Sequence, residues 1–439
     1  MHPVLSILVV LFALSLLLIV CSAGVKKQVL CAESARKLVH VGMGVICMTF
    51  PWLFADALPV QVLAVLAVSG MLIVRLSKLR ANIGSALFSV SRLSFGELLF
   101  PVAVAWLFTL YLVNSDSVVF YVIPLLLLTF ADTAGAIAGT RLGRKIYKTT
   151  SGSKSVEGSI AFFITAFLCI FLVLCFGSVY PVNHILVIAI TIGIFITSVE
   201  GASGMGVDNL VIPIGAYFLL SYYSELSTDS LWIRAGVLSV ILLIFILLRN
   251  KHRLNGGAVL SASLLCFIAY MMGGVYCLLA SILVFVRHMV ASYRIPAELR
   301  HTHSIEAILA VSAPTLTWLT LARGKMISQD EGAAFFIASL AVTLSMLYLG
   351  TRKFVTQKSI TLGQLCVSSV LAIIIISLTY PLLQSISFIF FSVMFSIVAS
   401  VIFHRLRSGR SSDFKDWIIL CVITYFSTIS LYFLYATTH

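Results

Sequence analysis

The twenty residues 4–23, VLSILVVLFALSLLLIVCSA, contain no charged side chain. A helix of about 20 apolar residues spans the hydrocarbon core of a bilayer, and this segment has the length and composition to do so. It is preceded by His2 and by no Lys or Arg, which makes a poor cleavable signal, so it is expected to stay as a first membrane helix. Outward from it, comparable runs recur near residues 39–54, 58–74, 99–113, 117–140, 159–180, 184–199, 206–222 and 231–249. A second series follows near 256–272, 274–292, 304–322, 332–350, 363–383, 385–403 and 416–436. The pattern predicts an all-α, polytopic transmembrane helical bundle of about 14–16 membrane segments.

Composition excludes the main alternatives. The chain has 439 residues, of which 60% are hydrophobic and 10% charged, with a mean hydropathy of +1.10. Soluble domains carry about 25% charged residues, so a cytosolic enzyme, a nucleic-acid binder and a disordered chain are all ruled out. The 29 basic residues against 16 acidic ones give +13. They sit in short loops: Lys26, Lys27, Arg36 and Lys37; Arg75, Lys78, Arg80 and Arg92; Arg141, Arg144, Lys145, Lys148 and Lys154; Arg249, Lys251 and Arg253. The positive-inside rule places these loops in the cytoplasm, beside anionic lipid headgroups. Residues 224–229 carry acid without base and belong on the opposite side. The nine cysteines form no CxxC and lie mostly in apolar runs, as buried inert thiols do.

The clearest polar, glycine-containing break is RNKHRLNGG at 249–257. It divides the chain into residues 1–250 and 251–439. Ten of the acids precede residue 250 and six follow it, so metal-dependent chemistry is expected in the first part.

Four clusters there carry chemical potential. The first is FADTAGAIAGTRLGRK at 130–145. A carboxylate such as Asp132 at the end of an apolar run is costly, and such residues usually face a polar cavity or a cation. Gly135, Gly139 and Gly143 make a bare helical stripe, which suits another helix or a phosphate. The second, SGSKSVEGS at 151–159, is a small-residue loop opening onto a helix. Its backbone N–H groups, Lys154 and the hydroxyls form an anion cradle, or Ser153, Ser155 or Ser159 simply caps the helix. No Walker A motif is present.

The third is EGASGMGVDN at 200–209, where Glu200, Asp208 and Asn209 flank a glycine-rich break. Hard oxygen ligands of this kind suit Mg²⁺, although a polar turn would also contain Gly and Asn. The fourth is ESARKLVH at 33–40, where Arg36 and His40 share a helix face. Glu97, at the start of an apolar helix, is a weaker candidate. His301 and His303 lack a third ligand and read as loop residues.

Taken in order, these motifs resemble the polyprenol kinase family of phytol, farnesol and dolichol kinases, with the phytol kinase branch closest. The resemblance covers roughly residues 30–222. It rests on Arg36-Lys37-x-x-His40, Gly96-Glu97, Asp132 with Gly139-x-Arg141-x-Gly143, Lys154-Ser155-x-Glu157-Gly158-Ser159, and Glu200 followed by Asp208-Asn209-x-x-x-Pro213. Many members have Gly-Asp where this chain has Ala131-Asp132.

The resemblance implies Mg²⁺-dependent transfer of the terminal phosphate of a nucleoside triphosphate, usually CTP, to an isoprenoid alcohol. That alcohol is phytol, geranylgeraniol, farnesol or a longer polyprenol. It implies Asp132, Asp208 and Glu200 at the metal, and Arg36, Lys37, Arg141 and Lys154 on phosphates. Gly139 and Gly143 would admit the nucleotide, with His40, Ser155 and Asn209 lining its site. Glu157 or Asp208 would accept the alcohol proton.

Such chemistry depends on positioning and charge neutralisation more than on covalent help. The lipid would enter from the bilayer, with its hydroxyl at the cytoplasmic interface. Residues 251–439 faintly resemble the membrane family of phytyl-phosphate kinases. However, apolar residues 342–346 stand where that family has acids, so this part is a degenerate relative or unrelated.

Three other readings stay open: a cytidylyltransferase of the CDP-diacylglycerol synthase type, a bifunctional prenol and prenyl-phosphate kinase, and a secondary transporter or lipid flippase. The transporter reading makes Asp132, Glu200 and Asp208 ion sites on broken helices, but no matching pair of breaks recurs in the two halves.

Overall fold

In the computed structural model the described residues are 2–76, 95–114, 117–149, 152–249, 251, 253–293, 303–356, 361–406 and 414–438. Lys78, Arg80, Arg92 and His301 lie outside them. The chain divides into two compact units, Met1–Gly236 and Val237–His439. This division falls within a helix that precedes the polar break at 249–257.

The first unit contains α1 (Pro3–Lys26), α2 (Ala32–Met48), α3 (Phe50–Leu53), α4 (Ala57–Leu76), α5 (Gly96–Val113) and α6 (Val118–Leu126). A π-helical turn (Leu127–Ala131) leads into α7 (Asp132–Leu142). A hairpin of β1 (Ile146–Thr149) and β2 (Gly152–Ser155) follows, then α8 (Val156–Gly177), α9 (Val182–Ala202) and α10 (Asp208–Ser224). Helix α11 (Thr228–Leu247) runs across the division.

The second unit contains α12 (Gly256–Tyr293), α13 (Ile305–Arg323), α14 (Gln329–Thr356), α15 (Leu362–Ile376), α16 (Tyr380–Leu383), α17 (Ile386–Leu406) and α18 (Phe414–Thr438). Each unit has one helix that is apolar nearly all round and buried accordingly. Helix α9 is packed by α8 and α10, and α14 by α12, α13, α15, α17 and α18.

The chain is a multi-pass membrane protein. Twelve helices among the described residues are long and apolar enough to cross a bilayer. Every expected run is helical, and the lower count has two causes. Residues 256–272 and 274–292 are two helices that meet at a kink, where Gly274 takes non-helical angles of φ 75° and ψ −165°, and they count once because they run on without a loop as α12. Only glycine adopts that conformation at little cost. In addition, α4 runs 20 residues up to the edge of a described segment, and α2 and α10 are 17 residues long. At the helical rise the latter two give about 25 Å each, less than the roughly 30 Å hydrocarbon core.

The only β-strands among the described residues form an antiparallel hairpin, which pairs Tyr147 with Lys154. It positions the site.

Candidate active site

The geometry begins at the π turn. Asp132 donates its N–H to the carbonyl of Leu127, five residues back. The intervening Leu128 carbonyl meets His40 Nε2 at 3.0 Å. A carbonyl only accepts, so Nε2 carries the proton. The extra residue in the turn therefore fixes the His40 ring, and His40 Nε2 lies 3.8 Å from Asp132 Oδ2. π turns of this kind occur frequently at functional sites.

Helix α2 can approach so closely because residue 44 is glycine, where a Cβ would collide with the Thr129 side chain. The Thr133 hydroxyl donates to the Thr129 carbonyl at 2.7 Å, bonding the turn to the start of α7.

The hairpin supplies the second group. Ser155 caps α8, accepting the Gly158 N–H at 3.1 Å. Tyr147 and Ser159 share a hydroxyl hydrogen bond of 2.8 Å. Lys154, across the ladder from Tyr147, donates to Glu200 Oε1 at 2.6 Å and also to the Glu200 carbonyl. Burial opposes the Lys154 charge, but the Glu200 and Asp208 carboxylates outweigh it and hold the ammonium above the usual lysine range. Asp132, Glu200 and Asp208 are within electrostatic reach of one another.

The loop between α9 and α10 turns through Met205 and Gly206, both at positive φ. The Phe95 N–H donates to the Met205 carbonyl at 2.8 Å, seating the start of α5, with Glu97, beside that loop.

Thus His40, Asp132, Lys154, Glu200 and Asp208 converge. Arg36 stands at the margin. Its guanidinium makes a bidentate pair with Glu33 (2.8 and 3.2 Å) and senses the charges of Asp132 and Glu97. Lys37 lies 3.8 Å from Glu33. The Asn209 backbone N–H donates to Asp208 Oδ1 at 3.0 Å. Arg141 is exposed.

Three residues occupy other surroundings. Glu157 accepts the backbone N–H groups of Arg144 (3.0 Å) and Lys145 (3.2 Å), tying the loop after α7 to the start of α8. Gly139 and Gly143 face the protein. A Cβ at 139 would lie 3.2 Å from Ser155 Oγ, and one at 143 would lie 2.9 Å from Ser155 Cβ. The bare stripe admits α8 and its cap, with Gly158 against Gly135 and Gly139.

Sequence reasoning missed the π turn, Gly44 and the ring of Phe100, which packs edge-on against His40 at 5.7 Å. The available signal was Thr129, a lone hydroxyl in an apolar run.

Among the described residues no three His, Cys, Asp or Glu side chains gather closely enough to cage a metal. Mg²⁺ usually needs only one or two carboxylates, the rest coming from water and substrate phosphates. Glu200 is engaged by Lys154, whereas Asp132 and Asp208 pair with no Lys or Arg in direct contact among the described residues. That donor set fits a phosphate-borne ion.

The chain is 33% identical over 187 residues to the phytol kinase of Synechocystis sp., a match covering 42% of this chain and 77% of that protein. No family model matches the chain, and no solved structure does.

Proposed function

The chain belongs to the phytol kinase family, and on that premise we propose that its first unit phosphorylates an isoprenoid alcohol, with CTP as the donor. The observation that carries this reading is the meeting of Lys154, Glu200 and Asp208 at helix and strand ends with Asp132 and His40. These residues come from five separate segments. A cluster of scarce charges at the ends of apolar helices suits a substrate that is half lipid and half polyphosphate.

Asp132 and Asp208 would hold Mg²⁺, which when bound neutralises phosphate charge. Lys154, oriented by Glu200, binds the transferring phosphate, and Arg36 and Lys37 at the margin attract the nucleotide. His40, fixed through Leu128, orients Asp132. The hydroxyl oxygen of the alcohol forms the new bond to phosphorus as the bond to the departing nucleoside diphosphate breaks, and Asp208 accepts the hydroxyl proton. Glu157, Gly139, Gly143 and Ser155 build the support beneath Lys154 and make no substrate contact.

The test is to incubate purified protein with labelled CTP, UTP or ATP and a panel of prenyl alcohols. A prenyl monophosphate is expected, reduced about 100-fold or more in Asp132→Asn and Lys154→Ala. Failure to phosphorylate any alcohol with any of these nucleotides removes the assignment.

A further inference from the structure

An apolar cavity of about 340 Å³ opens between α1, α2, α4 and α5, within the roughly 300–1,000 Å³ of ordinary ligand pockets. Its lining includes Leu14, Met43, Leu63, Ala67, Gly70 and Phe100. At its rim Leu66 is half exposed, and α1 and α4 carry further exposed apolar residues such as Ile19 and Val65. These are faces that meet lipid.

The opposite end is not lipid-like. Phe100 forms part of the wall, and its ring packs on His40, which lies beside Asp132. Two helices repeat the same gradient. In α2, His40 is followed one turn later by Met43 and then by Cys47. In α5, Glu97 is followed one turn later by Phe100 and then by Val104. Both helices thus pass from a polar group to cavity lining at helical spacing. A molecule matching this gradient has a long apolar body and a small polar head at the Asp132 end.

We propose that this cavity holds the hydrocarbon chain of the acceptor alcohol, with the hydroxyl directed past Phe100 toward His40 and Asp132. This rests on the kinase reading above. A phospholipid would have to place a large headgroup where Phe100, His40 and Asp132 converge, whereas a prenyl alcohol places only a hydroxyl there. Ala67 and Gly70 leave the room. A side chain added at Gly70 meets no atom of the described residues within 4 Å, which leaves room there for a ligand.

The probe is a diazirine-bearing geranylgeraniol, photolysed with the full-length protein in phosphatidylcholine nanodiscs and mapped by mass spectrometry. Labelling is expected on cavity segments of α1, α4 and α5, displaced by unlabelled geranylgeraniol and not by added phosphatidylcholine. Ala67→Phe, which fills the cavity, should weaken labelling about ten-fold. Gly70→Leu is the second filling variant should Ala67→Phe fail to fold. Asp132→Asn should retain labelling while losing phosphorylation. Labelling elsewhere, displacement by phosphatidylcholine, or indifference to both filling variants overturns the proposal. Phosphorylation with labelling elsewhere defeats the cavity alone. Competed labelling at the cavity without phosphorylation by any nucleotide defeats the kinase reading and keeps the prenyl site.

Discussion

Lys154 and Glu200 form the most consequential pair in the first unit. Their side chains are 22% and 15% exposed, and removing one partner of so enclosed a pair leaves a charge with little water to satisfy it. If Glu200 acts by holding Lys154, the two are coupled. Lys154→Ala and Glu200→Gln should each lower prenol phosphorylation, and the double variant should be no slower than Lys154→Ala alone. Additive losses in the rate assays would give Glu200 a separate role. The Lys154 pKa is raised above its ordinary value of 10.5, so the pair's stabilisation is intact below that value. It is lost only as pH rises through the raised one. The difference in melting temperature between wild type and Lys154→Ala should therefore persist through neutral and mildly alkaline pH. Glu157 tests the opposite case. Glu157→Gln keeps an oxygen for the Arg144 and Lys145 amides and should cost less than about ten-fold in rate. A loss of the size seen for Asp132→Asn would place it in the chemistry.

At the scale of elements, the site depends on close approaches that glycine allows. A Cβ at Gly44 would strike Thr129. Gly44→Ala should therefore destabilise the protein by about 1–3 kcal/mol and lower activity by displacing His40. Thr129→Ala in that background should recover part of both losses in melting and rate measurements. The sequence made some of this legible. A carboxylate at the end of an apolar run is costly, which makes Asp132 legible, and Lys154, Glu200 and Asp208 are marked by the small-residue and glycine-rich stretches that hold them. The stripe of Gly135, Gly139 and Gly143 was also visible, but what fills it depends on tertiary packing. The π turn adds one residue without changing the apolar pattern, and the hairpin strands are four residues each, too short to show alternation. Both were therefore illegible, although together they aim His40 and Lys154.

The whole molecule is two compact units with unequal polar content. The all-helical membrane class followed from apolar runs alone, because length and hydropathy decide it. The number of spans depended on helices shorter than the bilayer core, such as α2 and α10 at 17 residues each, a feature that composition does not encode. The residues assigned to the reaction all lie in Met1–Gly236. Acids of the second unit should accordingly be dispensable for monophosphate formation, and Glu306→Gln should retain wild-type turnover of a prenyl alcohol to within about two-fold.

The most direct measurement compares CTP labelled at its terminal phosphate with CTP labelled at its innermost phosphate, using purified full-length protein and geranylgeraniol. The terminal label should appear in a prenyl monophosphate and disappear with Asp132→Asn, while the innermost label stays in the nucleotide. Transfer of the innermost label to lipid, or no transfer of either label, would contradict phosphoryl transfer at this site.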